Sequence, residues 1–297
     1  MDSSSNPSNM RRKVSAFVKF VDPAAIQTPI GGVGLGLLYS YEVTPSPMET
    51  SALRLIVAFV GIVLVLSYVM TLNDYFDVEI DKQKGVRQAL AEIPKRLAGA
   101  SVIIFLSFGL LFVWIASPRC IAIILVIALL STAYSAPPLR YKNVYPFSTL
   151  GEVIGAFLLF LAGYSVFAPI GVEALVVSWI PCLAITYWRL RHEVRYVKFD
   201  EATGKKTLAV VHGVGKVKLL MRLLIALDIT LSLGLFLEGW LSLTFMFFLL
   251  IFLLGSFHRK ILKRIIPSEY IHKLWLTDKV WGFVYFLLVL AFILFFK

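Results

Sequence analysis

The chain has 297 residues, of which 59% are hydrophobic and only 16% charged, with a formal net charge of +11. A soluble domain carries about 25% charged residues, so too few polar groups remain here to coat a water-facing surface, and a soluble globular fold is excluded together with intrinsic disorder. The two cysteines, Cys120 and Cys182, lie in apolar runs and read as inert core thiols, which excludes a disulfide scaffold.

In chain order, residues 1–14 are polar and basic with no apolar run behind them. They read as a disordered cytoplasmic tail and not as a cleaved signal peptide. Residues 15–297 read as a single transmembrane domain. A spanning helix needs about 20 predominantly apolar residues. Nine stretches qualify, at 24–43, 52–72, 98–117, 119–136, 149–168, 174–190, 217–237, 239–256 and 279–296. They are runs of Leu, Ile, Val and Phe without the polar alternation of barrel strands. The expected fold class is therefore an all-α integral membrane protein. It has nine transmembrane helices bundled around a central cavity that opens to the cytoplasmic side. Gly31, Gly32, Gly34 and Gly36 in the first span read as a close-packing surface.

Orientation follows from the basic residues. With the N-terminus inside, 26 of the 29 Lys and Arg residues fall in the tail and in the segments that follow even-numbered spans. Short loops rich in Lys and Arg stay cytoplasmic, so the topology is N-in, C-out. This rule accounts for the net charge without nucleic-acid binding. The outer loops are short and featureless, whereas the inner ones carry nearly all the acids, tyrosines and cations. Chemistry is expected at the cytoplasmic mouth of a multi-pass cell-membrane protein. Glu152 and Asp228, deeper in the spans, read as buried hydrogen-bonded polar residues.

The second span runs into Asn73-Asp74-Tyr75-Phe76-Asp77-Val78-Glu79-Ile80-Asp81. If the helix continues at about 100° per residue, Asn73, Asp74, Asp77 and Asp81 share one face and Glu79 points away. Such a stripe at a membrane boundary demands compensating positive charge, and its hard oxygen donors suit Mg²⁺. Mg²⁺ is commonly held by one or two carboxylates plus substrate phosphates, and Lys82, Lys84 and Arg87 stand nearby to clamp phosphate oxygens. A diphosphate fits that description.

Asn73-Asp74-x-x-Asp77-x-x-x-Asp81 resembles the first aspartate-rich motif of the UbiA-type membrane prenyltransferases, a family similar in outline to this chain, with nine spans and acidic motifs after the second and sixth. At the end of the fourth span, Tyr134-Ser135-Ala136-Pro137-Pro138-Leu139-Arg140-Tyr141-Lys142 resembles the family's Tyr-Ser-x-Pro-Pro-x-Arg-x-Lys signature. By that resemblance Tyr134, Ser135, Arg140 and Lys142 face the diphosphate. Arg87 stands where the family carries a diphosphate-contacting Arg.

After the sixth span, Asp200-x-x-x-Gly204-x-Lys206-Thr207 resembles the end of the family's second motif. Counting back, Tyr196 stands in place of the usual middle Asp, and Glu193 in place of the first. The stripe survives with one carboxylate fewer for a second Mg²⁺. His192 reads as a solvated interface residue, since no second His or Cys stands at metal-ligand spacing.

The resemblance implies Mg²⁺-dependent transfer of a prenyl group from an allylic isoprenyl diphosphate to a lipophilic acceptor, expected to be aromatic or a quinone precursor. Asp77, Asp81, Lys142 and Tyr134 are the expected catalytic residues. Asn73, Arg87, Arg140, Ser135, Lys206 and Tyr196 are the expected substrate-binding residues. Asn73, Asp74, Asp77, Asp81, Glu193 and Asp200 are the expected metal ligands. Tyr75, Phe76, Tyr134, Tyr187 and Trp188 stand at the depth where aromatic faces shelter a carbocation. No general base is assigned. The partners implied are the isoprenyl diphosphate, the acceptor and membrane lipid, with no obligate protein partner. Two other readings compete: a terpenoid cyclase acting on the same diphosphate, and a transporter using carboxylate-bound cations.

Overall fold

The computed structural model describes residues 23–44, 48–83, 93–254 and 275–295. The 1–14 tail and Arg87 lie outside the described residues, and so does the side chain of Asp81. The described elements are helical: α1 (Pro23–Val43), α2 (Met48–Gln83), α3 (Lys95–Ala116), α4 (Cys120–Ser135), a 3-10 turn (Tyr141–Asn143), α5 (Phe147–Tyr164), α6 (Val172–Val177), α7 (Trp179–Ala202), α8 (Leu208–His212), α9 (Val214–Leu237), α10 (Leu243–Leu254) and α11 (Trp275–Phe295). Each apolar stretch singled out in the sequence overlaps one of them. Among the described residues, four segments, Ala52–Val78, Lys95–Ala116, Phe147–Tyr164 and Val214–Leu237, are long and apolar enough to cross a membrane.

Helix α1 is the hub. Its residues 30–41 are buried on every face, the pattern of a helix that is apolar all round. It packs against α2, α5, α10 and α11. Two close approaches make that density possible. A Cβ on Gly36 would overlap the Phe160 carbonyl oxygen of α5, and one on Gly163 would overlap that of Val33 in α1. Gly61 of α2 and Gly109 of α3 face each other in the same way, each with an added Cβ 3.1 Å from the other's carbonyl oxygen. Small residues let backbones meet where hydrophobic burial alone cannot drive helices together in lipid. On the periphery, α9 turns Leu219, Leu223, Leu227 and Leu233 outward, an apolar surface suited to acyl chains.

One boundary differs from the expectation. The stretch 174–190 is split at Ser178 into α6 and α7. Pro181 has no N–H to donate to the Val177 carbonyl, so the helix restarts there. Helix α2 continues past its apolar stretch to Gln83, so the Asn73–Asp81 motif is helical, as its one-faced acidic stripe requires. Likewise α7 runs unbroken to Ala202 and carries Glu193, Tyr196 and Asp200 on one helix. The ends of α2, α4 and α7 and the beginning of α5 thus gather at one end of the bundle.

Candidate active site

The first half of the site is built where the segment after α4 folds back onto α2. Pro137 and Pro138 cannot donate to the α4 ladder, so the helix ends at Ser135. Arg140 adopts the left-handed conformation (φ 37°), and its N–H is held by the Ala136 carbonyl at 2.9 Å. The 3-10 turn then carries Lys142 toward α2. Tyr141 pins this turn from behind: its hydroxyl donates to the Leu130 carbonyl at 3.1 Å, and its ring sits edge-on against Tyr134.

Asp77 is the centre of this half. Arg140 Nη2 donates to its Oδ1 at 2.5 Å and Lys142 Nζ to its Oδ2 at 2.7 Å. Lys142 Nζ also donates to Asn73 Oδ1 at 2.8 Å, and Ser135 Oγ reaches the same oxygen at 3.4 Å. Asn73 Nδ2 in turn donates to Asp74 Oδ1 at 3.5 Å. Charge-assisted bonds of this kind are about twice as strong as neutral ones. Burial pushes the Lys142 ammonium below the ordinary lysine pKa, and the Asp77 carboxylate opposes that push. Oxygens from two helical turns therefore converge on a point that the protein itself fills with positive charge. That donor set, one amide and one carboxylate oxygen, is the hard-oxygen chemistry that suits Mg²⁺.

The second half is buried deeper. Tyr134 donates its hydroxyl to Glu152 Oε1 at 2.9 Å, tying α4 to α5. Arg189 Nε lies 2.9 Å from Glu152 Oε2 and 3.4 Å from Glu193 Oε1, so its guanidinium bridges a carboxylate of α5 and one of its own helix. Glu193 is 1% exposed, and its Oε2 accepts the Ala209 N–H at 3.4 Å, holding the start of α8. Burial pushes the Glu193 carboxyl above its ordinary pKa, and the Arg189 charge opposes this. Asp200 is buried as well, while Tyr196 is 41% exposed, its ring tilted by 37° against His192 with centroids 4.5 Å apart. Lys206 is exposed, and Thr207 caps α8 by accepting the Val210 N–H.

The structure thus brings together Asn73, Asp74, Asp77, Ser135, Arg140 and Lys142. Tyr134 neighbours this group, but its hydroxyl is committed to Glu152. Tyr196 turns outward, and Glu193 is engaged by Arg189 and Ala209. Among the described residues, no three Asp, Glu, His or Cys side chains gather closely enough to hold a metal ion. Two residues of the network, Glu152 and Arg189, were not among the expected site residues. An acid within an apolar span was the signal for the first. Arg189 was concealed among the cations that set orientation. The exposed Tyr145–His212 contact at 2.6 Å joins the segment after α4 to α8.

Residues 30–269 match the UbiA prenyltransferase family. A digeranylgeranylglyceryl phosphate synthase of Methanococcoides burtonii is 28% identical over 191 residues, covering 61% of this chain and 66% of that protein, just under two thirds of its length. A UbiA homologue from Archaeoglobus fulgidus bound to DMAPP and Mg²⁺ superposes with a TM-score of 0.70 at 16% identity, covering 93% of this chain and 99% of the other. The same homologue bound to GPP and Mg²⁺ gives a TM-score of 0.68 at 16% identity and the same coverage. These two structures share the fold of this chain.

Proposed function

The chain belongs to the UbiA prenyltransferase family, and from that premise we propose that it transfers a prenyl group from an allylic isoprenyl diphosphate to a lipophilic acceptor with Mg²⁺ as cofactor. The observation that carries this reading is the seating of Lys142 Nζ between Asn73 Oδ1 and Asp77 Oδ2, at 2.8 and 2.7 Å, beside Arg140 on the other Asp77 oxygen. Metal-holding oxygens and phosphate-binding cations are interleaved at one point. The Archaeoglobus fulgidus homologue's complexes with DMAPP, GPP and Mg²⁺ support the same ligand class.

Asn73, Asp77 and Asp81 would hold Mg²⁺ on α2, with Asp74 beside Asn73 and Asp200 of α7 as a further carboxylate. The ion supplies Lewis-acid neutralisation of the charge that develops on the diphosphate. Arg140, Lys142 and Arg87 would donate hydrogen bonds to the phosphate oxygens, with buried Ser135 beside Asn73 and the exposed Lys206 as a further cation. As the allylic C–O bond breaks, these donors bind the leaving diphosphate more tightly than the intact ester, which lowers the barrier. The positive allyl fragment needs a dry site with aromatic faces. Tyr134, edge-on to Tyr141 at 5.2 Å, is the expected aromatic that neighbours the site, whereas Tyr75 and Phe76 pack toward α3 and Trp188 against Phe252 of α10. An electron-rich acceptor atom then bonds to the allyl carbon and loses its proton.

The bundle is read as nine transmembrane helices around a central cavity, N-in and C-out, in the cell membrane, with residues 15–297 as one domain and the site facing the cytoplasm. The prenyl tail lies among helices or in lipid while the diphosphate stays at the charged mouth. For the acceptor, the name of the Methanococcoides burtonii relative favours a prenylated glyceryl phosphate over an aromatic ring. The test is incubation of purified protein with labelled geranyl and geranylgeranyl diphosphates, each acceptor class, and Mg²⁺ or EDTA. Prenylated acceptor and an equal amount of diphosphate are expected only with Mg²⁺ and acceptor present. Diphosphate release that persists in EDTA contradicts the mechanism, and a prenyl product formed without acceptor identifies a cyclase.

A further inference from the structure

The two acidic motifs do not have equal capacity for metal. On α2 the amide and carboxylate oxygens converge on a single point of positive charge. On α7 the three motif positions are spent differently. Tyr196 replaces a carboxylate and is 41% exposed, its ring set against His192 with centroids 4.5 Å apart. Glu193 gives one oxygen to the Ala209 N–H, and its other oxygen faces the Arg189 guanidinium at 3.4 Å. Asp200 is the motif carboxylate left over, and one carboxylate is a weak anchor for a divalent ion before substrate arrives.

What α7 does hold firmly is a guanidinium. Arg189 is clamped from both sides, by Glu152 of α5 at 2.9 Å and by Glu193 of its own helix. The Tyr134 hydroxyl holds the other oxygen of Glu152 at 2.9 Å, so the clamp is tied to the segment that delivers Arg140 and Lys142. Both contacts are made at Nε, as ion pairs rather than aligned hydrogen bonds. A guanidinium keeps its charge at any physiological pH and matches phosphate geometry in a way an ammonium does not.

We propose that Arg189, fixed between Glu152 and Glu193, is the permanent cation of the second motif and grips the diphosphate there in place of a second metal ion, so that the enzyme carries one divalent ion per chain, on α2. This rests on the prenyltransferase reading above. Glu152 is then a positioning residue, since both of its oxygens are engaged and neither is placed to act as a base.

The experiment counts Mn²⁺ bound to the purified full-length protein by electron paramagnetic resonance, at saturating geranylgeranyl thiolodiphosphate, an analogue that resists ionisation. One ion per chain is expected, and two ions per chain overturn the proposal while leaving the prenyltransferase reading intact. Absence of thiolodiphosphate binding at every Mn²⁺ concentration removes both together. Arg189→Gln is expected to weaken thiolodiphosphate binding about 10–100-fold with the Mn²⁺ count still at one. Arg189→Lys, which keeps the charge that Glu152 and Glu193 require, serves should the glutamine variant not fold, and about a tenfold weakening is expected from loss of the fork. Unchanged affinity in a folded variant, or a count that rises to two, contradicts the assignment.

Discussion

The C-terminal ends of α2 and α7 carry motifs that look alike as strings and differ as chemistry. On α2, Asp77 is partly exposed and gripped by cations delivered from another segment, Arg140 and Lys142. On α7, Glu193 is sealed and gripped by an arginine of its own helix, one turn earlier, which a third helix also holds. The α2 arrangement can exchange partners, because a metal ion on the carboxylate and a phosphate on the ammonium and guanidinium replace the existing pairs charge for charge. The α7 arrangement is a fixture: removing either partner leaves an uncompensated buried charge, which costs about 3–5 kcal/mol. On the proposed reading, one end of the site exchanges its ions and the other is built in.

The substitution expected to act most strongly is Asp77→Asn. It keeps the shape but removes the charge on which Arg140 and Lys142 converge. A kcat loss of about 10²–10³-fold is expected, of the size seen when one transition-state electrostatic contact is deleted. Steady-state assay with labelled diphosphate checks it, and activity within a few fold of wild type would show that α2 is not the exchangeable end. Lys142→Met comes next. Its ammonium bridges Asn73 and Asp77 and is read as binding phosphate, so kcat/KM for the diphosphate should fall about 10–100-fold. The protein should remain folded, since the loop is still anchored by Tyr141.

Glu152→Gln sharpens the contrast from the other side. The amide oxygen still accepts from Tyr134, while the charge that holds Arg189 from α5 is gone. Loss of a supporting partner of this kind costs about tenfold. The effect should appear in KM for the diphosphate more than in kcat, read from full saturation curves. Tyr196→Asp should do the least. It restores the family's acidic residue in sequence, yet the position faces outward, so activity and Mg²⁺ dependence should stay within about twofold of wild type, the range of ordinary surface changes. A marked gain in Mg²⁺ affinity would show that Tyr196 belongs to the site after all.

How much of this was legible in the sequence varies by residue. The apolar stretches were readable because about 20 residues of hydrocarbon-compatible sequence admit few alternatives. The cluster of Asn73, Asp77, Ser135, Arg140 and Lys142 was readable because each half is contiguous and the Pro-Pro stop announces a chain reversal. The break at Ser178 was signalled by Pro181, although apolar composition alone ran straight through it. Glu152 and Arg189 were not readable as partners. They belong to different helices, 37 residues apart, and helical periodicity describes one helix at a time. The outward turn of Tyr196 was also hidden. It lies about 60° from Glu193 on the helical wheel, close enough to share a stripe on paper and far enough to leave the interior.

The most direct measurement is the rate at which wild-type protein and Asp77→Asn, each with acceptor present, release inorganic diphosphate from labelled geranylgeranyl diphosphate in Mg²⁺ and in EDTA. A prenyl-transfer site centred on Asp77 predicts release by wild type in Mg²⁺ alone, and near-background rates in the other three combinations. Equal release by both proteins, or release by wild type that EDTA leaves unchanged, would contradict it.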